Sequence, residues 1–132
     1  MKGIYSPATV ILVLCFISIG SAFAQKISIP SLDFKKDMLG VFAPDDSGLD
    51  IDNSKKDELR SANSEFLDQV ISIANGDGSD EDKKKSILSL GKNQSSTFSK
   101  ILGKDKAKSY KKSIKKKIRP FKTKYKIATL IL

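Results

Sequence analysis

Apolar residues recur along this chain at three- and four-residue steps in separate stretches, a spacing that gathers each set on one face of a helix. The clearest row is Leu59, Ala62, Phe66, Val70 and Ile73, widened by Leu67, Ile71 and Ala74. Asn53 or Ser54 stands where a side chain can accept from the first free N–H groups. Asp57 and Glu58 lie near the positive end of the helix dipole, and Asn75-Gly76-Asp77-Gly78 stops the helix. A second row holds Ile87, Leu90, Phe98 and Ile101, with Leu88 and Leu102 beside them. It predicts a helix from Ser79 to Gly103, acidic in its first turn and kinked where Gly91 and the polar run 93–96 interrupt it. A third row, Ala107, Tyr110, Ile114 and Ile118, predicts a helix from Asp105 that Pro120 breaks, because proline lacks the N–H and clashes with the preceding turn.

The flanks are less regular. Gln25 to Pro30 reads as a short extended lead-in. Ser31-Leu32-Asp33 is suited to cap a helix reaching Phe42, with Leu32, Met38, Leu39 and Phe42 as its stripe and Gly40 weakening it. Residues 43–48, Ala-Pro-Asp-Asp-Ser-Gly, are turn chemistry. After Pro120, Phe121, Thr123, Tyr125, Ile127, Thr129 and Ile131 alternate as in a strand, whereas Phe121, Tyr125, Ala128 and Leu132 fit a helix. No other stretch beyond residue 24 is clearly a strand, so helix is the better fit. The expected fold is all-α: a small hairpin or bundle of three to four helices. A lead-in, short helix and acidic loop occupy 25–52, the helical domain 53–118, and a basic and apolar tail 119–132.

Residues 1–24 have the features of a cleaved secretory signal. Lys2 precedes an apolar run from Ala8 to Phe23, and Ala22 and Ala24 put small side chains at the −3 and −1 positions before Gln25. This predicts export, to a periplasm or beyond the cell, and removal of Cys15 with the signal. About 108 residues remain, without cysteine or histidine. A chain of that size buries only a modest share of its surface, and oligomerisation would relieve the shortage of core.

These absences narrow the chemistry. No imidazole is present to act as a base near neutral pH, and no thiolate remains as nucleophile or soft metal ligand. Ser109-Tyr110-Lys111-Lys112 and Ser113-Ile114-Lys115-Lys116 match S-x-x-K, a chance match in so lysine-rich a segment. Counting a calcium loop from Asn75 puts Asp80 and Ser86 where glycine and glutamate are required. The Asp45, Asp46, Asp50 and Asp52 group reads as a solvated loop. The chain is therefore expected to be non-enzymatic, with no catalytic residue, metal or cofactor.

Charge is sorted along the chain. Of fifteen Asp and Glu residues, fourteen precede Lys83; from Lys83 to Leu132 there are seventeen Lys and Arg against one Asp. Such asymmetry suits an anionic partner at one end. Within it, Tyr110, Ile114, Lys115, Lys117, Ile118, Arg119, Phe121 and Tyr125 form the candidate client- or surface-binding set. A basic amphipathic helix of this kind can lie on an anionic membrane or bind nucleic acid through phosphates, although export makes nucleic acid an unsuitable partner. In the plainer alternative, the apolar row of the helix packs inward and its lysines face water.

The layout also resembles the Spy/CpxP-like periplasmic helical proteins. Their signature L-T-x-x-Q follows a long helix and opens the next. Here Leu102-Gly103-Lys104-Asp105-Lys106 keeps the Leu, with Gly103 in place of Thr and Lys106 in place of Gln, and Ile51-Asp52-Asn53-Ser54-Lys55 departs at the same two places. The resemblance spans roughly residues 51–118. It implies an all-helical, cradle-shaped homodimer that holds partly unfolded proteins without ATP or signals envelope stress. The alternatives are a peripheral binder of an anionic membrane or lipopolysaccharide surface, and an accessory subunit of an envelope complex.

Overall fold

A computed structural model describes residues 31–131. The expected signal and the lead-in before Ser31 lie outside the described residues. The rest is helical: α1 (Ser31–Phe42), a 3-10 turn (Pro44–Ser47), α2 (Asn53–Ala74), α3 (Asp80–Leu102), α4 (Lys104–Ile118), and two single-turn helices, α5 (Phe121–Lys124) and α6 (Ala128–Ile131). No strand occurs among the described residues.

Helices α2 and α3 form an antiparallel hairpin, tied across by a hydrogen bond from Gln94 to Asn63. At its tip the Ser79 hydroxyl accepts from the Asp82 N–H at 3.2 Å, and Asp80, Glu81 and Asp82 favour the helix dipole there. The start of α2 differs from expectation. Asp52 is the capping residue and makes no side-chain cap bond, so neither Asn53 nor Ser54 fills that role. Gly103 alone separates α3 from α4; its φ of 82° and ψ of 164° belong to a region open essentially to glycine.

One apolar core joins α1, α2, α3, α4 and α6, so it runs across the divisions expected near residues 52 and 118. The α4 row of Ala107, Tyr110, Ile114 and Ile118 is buried as its periodicity predicts. The α1 stripe is borne out at Met38 and Phe42 but not at Leu32 and Leu39. Phe34, Met38, Val41 and Phe42 face the core, while Leu32 is 87% and Leu39 36% exposed. Apolar residues flank Met38 and Phe42 on both sides of this short helix, and the side with Phe34 packs because an aromatic ring removes more area from water. In α3, Ile87, Phe98 and Leu102 are buried, and Leu88 is 47% exposed.

α3 runs unbroken through Gly91 and the polar run 93–96, contrary to the expected kink. The reason lies in what faces those residues. Gln94 is buried and hydrogen-bonded, and Gly91 lies under the C-terminal turn. A Cβ at Gly91 would stand 2.7 Å from the Ile131 carbonyl oxygen, closer than van der Waals contact allows.

Four helices meet at one buried polar cluster. The Asn63 side-chain amide donates to the Phe42 carbonyl at 3.2 Å and to the Tyr110 hydroxyl at 3.0 Å. Its oxygen accepts from Gln94 Nε2 at 2.9 Å. The Tyr110 hydroxyl itself donates to the Phe42 carbonyl. That carbonyl belongs to the last residue of α1, where a helix leaves its C=O groups without internal partners. Side chains from α2 and α4 therefore cap α1, and no polar side-chain atom buried among the described residues lacks a partner.

Burial pushes the Tyr110 phenol up to about 12, the hydrogen bond from Asn63 opposing the shift. The folded state thus holds this proton more tightly than the unfolded chain. The contribution is complete below the ordinary tyrosine value of about 10 and is lost as pH rises through about 12. Thermal melts are expected to show stability falling across that interval, with a loss of about 3 kcal/mol from this group. A Tyr110→Phe variant should lack this component; a profile parallel to that of the unmodified chain would show that Tyr110 does not set the alkaline limit.

Candidate functional site

The eight residues singled out in the sequence separate into two groups. Tyr110, Ile114, Ile118 and Tyr125 are buried, so they belong to the core rather than to a client-facing surface. Phe121 and Lys117 are half-buried, and Lys115 and Arg119 are exposed. Their burial has a simple cause. A helix with one apolar row in a lysine background turns that row inward whenever other helices offer apolar partners, and here Phe98 meets the Tyr110 ring edge-on at 4.8 Å.

What remains outside is a cationic stripe. Lys104, Lys108, Lys112, Lys115, Lys116 and Arg119 are all exposed; Lys104, Lys108, Lys112 and Lys116 stand four residues apart, and Lys115 and Arg119 lie three and seven residues after Lys112, so the six share one broad face of α4, turned away from the buried row. From Lys104 to Arg119 the stripe is about 22 Å long at 1.5 Å per residue. Four of its members carry a signal in the sequence that the candidate set does not include: lysines at i, i+4, i+8 and i+12 from Lys104.

None of the six makes an ion pair among the described residues. Several acidic side chains are paired with other cations. Asp45 bridges Lys56 at 3.2 Å and Arg60 at 2.6 Å, and the Arg60 hydrogen bond, then that of Lys56, holds its carboxyl below the usual range. Asp68 pairs with Lys35 at 2.7 Å. Lys106, off the stripe, donates to the Asp50 carbonyl at 2.8 Å and fastens the start of α4 to the acidic loop. Like charges one turn apart cost a helix a few tenths of a kcal/mol per pair. The stripe therefore works against α4, which its buried row holds in place. Lys115 and Lys116, in the last turn, and Arg119 at the C-cap gain from the helix dipole.

Beyond Arg119 the chain turns at Pro120 and lies back on the bundle as α5 and α6. The tail is neither the strand nor the continuous helix that its pattern allows: Tyr125 is extended, at φ −127° and ψ 110°, between the two turns. Asp37 of α1 accepts from Tyr125 Oη at 2.8 Å and from Lys124 Nζ at 3.0 Å. These bonds, the Tyr125 one first, hold the Asp37 carboxyl below its ordinary value. Lys124 also lies 5.1 Å from the Tyr125 ring centre, and Phe34 meets that ring edge-on at 5.2 Å.

No group of three or more Asp, Glu, Cys or His side chains among the described residues is placed to hold a metal ion, and no described helix is long and apolar enough to cross a membrane. Comparison with family models, curated proteins and solved structures gives no match to this chain.

Proposed function

We propose that this is an exported, non-enzymatic helical protein that docks on an anionic envelope or membrane surface through the α4 stripe. The observation that carries the reading is the set of six exposed cations on one face, none in an ion pair among the described residues. A cation near an anionic bilayer contributes roughly 1 kcal/mol, so six give useful affinity without an inserted side chain. Binding of that kind is reversible and weakens as salt screens it. The client-binding reading that the Spy/CpxP-like resemblance implies is less well supported, because four of its apolar contacts lie in the core.

Co-sedimentation with vesicles tests the proposal. The protein is expected to pellet with vesicles containing anionic lipid, to stay in solution with neutral ones, and to be released as salt rises. Reversing Lys112, Lys115 and Lys116 to Glu should cost at least ~3 kcal/mol, on the order of a hundredfold in affinity. Equal binding to neutral vesicles, or a triple variant that binds like the unmodified chain with an unchanged helical spectrum, would count against it.

A further inference from the structure

We propose that the C-terminal strap, residues 119–131, leaves its seat on the bundle at an anionic bilayer and becomes the apolar half of the contact. This rests on the docking reading above. The strap begins at Arg119, the last cation of the stripe, so it reaches any surface the stripe has found. It interleaves Lys122, Lys124 and Lys126 with Phe121, Tyr125, Ile127 and Leu130, the composition of a segment that lies in a headgroup layer. In the folded protein the three lysines are exposed, while Tyr125, Ile127, Ala128 and Ile131 are buried.

The strap is held by contacts that a lipid surface can replace. Its two helices are four residues each, too short to persist on their own, so only its seat keeps it ordered. The polar part of that seat is the Asp37 carboxylate facing Lys124 and Tyr125. Lys124 is largely exposed there, at 58%, where such pairs are weak and screened. A lipid phosphate can take Lys124 in place of Asp37. The apolar part is the contact with α3 at Gly91 and with Phe34 of α1. Lipid chains are as apolar as a leucine-rich core, so apolar side chains moving from one to the other lose little. The three lysines gain at the anionic surface, and that difference favours the released state. The bundle left behind keeps the hairpin, α1, α4 and the Asn63 cluster, none of which includes a strap residue.

The chain contains no tryptophan, so a single reporter is unambiguous. Phe121→Trp and, separately, Leu130→Trp place one at half-buried strap positions; Leu88→Trp on α3 serves as the control. Each is mixed with vesicles of phosphatidylglycerol, of phosphatidylcholine, and with inorganic phosphate, the lipids carrying brominated acyl chains. Both strap reporters are expected to shift to shorter wavelength and be quenched on the anionic vesicles alone, while the α3 reporter is not. Asp37→Asn, which loosens the seat, should lower the half-saturating lipid concentration severalfold. Protein that binds anionic vesicles with both strap reporters unquenched would overturn this inference and leave the docking proposal standing. Failure to bind at all would remove both. A shift with inorganic phosphate alone would show a soluble anion releasing the strap and would overturn the role assigned to the bilayer.

Discussion

Replacing Asn63 with alanine is expected to destabilise the protein by roughly 3–4 kcal/mol, the largest effect of any single polar substitution in this core. The side chain serves three partners on three other helices: the Phe42 carbonyl, the Tyr110 hydroxyl and Gln94. Its loss strands Gln94 Nε2 and leaves room that a water molecule cannot fill with all the same bonds. A buried group without a partner costs about 1–3 kcal/mol. For a domain of this size the melting temperature should fall by on the order of 15 °C or more. The companion variants give the expectation its discrimination. Tyr110→Phe leaves the Phe42 carbonyl bonded to Asn63, so it should cost only about 1 kcal/mol. Gln94→Leu removes one donor to Asn63 and should fall between the two. Urea melts that ranked Tyr110→Phe at or above Asn63→Ala would show that Asn63 is not the centre of the cluster.

Gly91→Leu should come next. At an ordinary helical position the exchange would be favourable, since Gly is about 1 kcal/mol worse than good helix formers. Here the side chain begins 2.7 Å from a backbone oxygen of Ile131, and a backbone carbonyl cannot rotate aside as a side chain can. The strap must lift. Burial of Ile127 and Ile131 is then lost, at about 1.5–3 kcal/mol for each, and a net loss of about 2–5 kcal/mol should remain after the helix gain. Amide exchange should accelerate across residues 121–131 while the α2–α3 hairpin remains protected. A variant as stable as the parent, with strap amides still protected, would mean that the approach of α6 to α3 is looser than described. Gly91→Leu should also mimic Asp37→Asn in favouring lipid insertion, through the apolar rather than the polar side of the seat.

The parts of this fold legible in the sequence are those where one pattern outweighs its rivals. The α4 row of Ala107, Tyr110, Ile114 and Ile118 stands alone among lysines and packs as its spacing requires. In α1 the pattern marks Met38 and Phe42 as buried but does not decide between Phe34 with Val41 and Leu32 with Leu39 as the residues beside them; the structure leaves Leu32 and Leu39 outside. Asn63 and Gln94 could not be read as core residues, because a polar side chain belongs inside only when its partners are known. Those partners are 21 to 47 residues away along the chain. Gly91 reads as a helix weakness until the turn above it is in view. In the candidate site, charge was legible as a total but not as a face. Lys115 and Arg119 were identified, whereas Lys104, Lys108, Lys112 and Lys116 were counted within the bulk positive charge. The aromatic and branched residues beside them, which made the segment look adhesive, are the reason α4 stays on the bundle.

The Phe42 carbonyl is reached by a tyrosine hydroxyl 68 residues further along the chain. During synthesis the first helix therefore emerges long before the group that completes its end. Until residue 110 is available, the α2–α3 pair can assemble from neighbouring contacts, but the leading segment can attach only incompletely. A ribosome-stalled series should accordingly acquire protease resistance in two steps, the hairpin first and the N-terminal helix only after Tyr110 has cleared the exit tunnel.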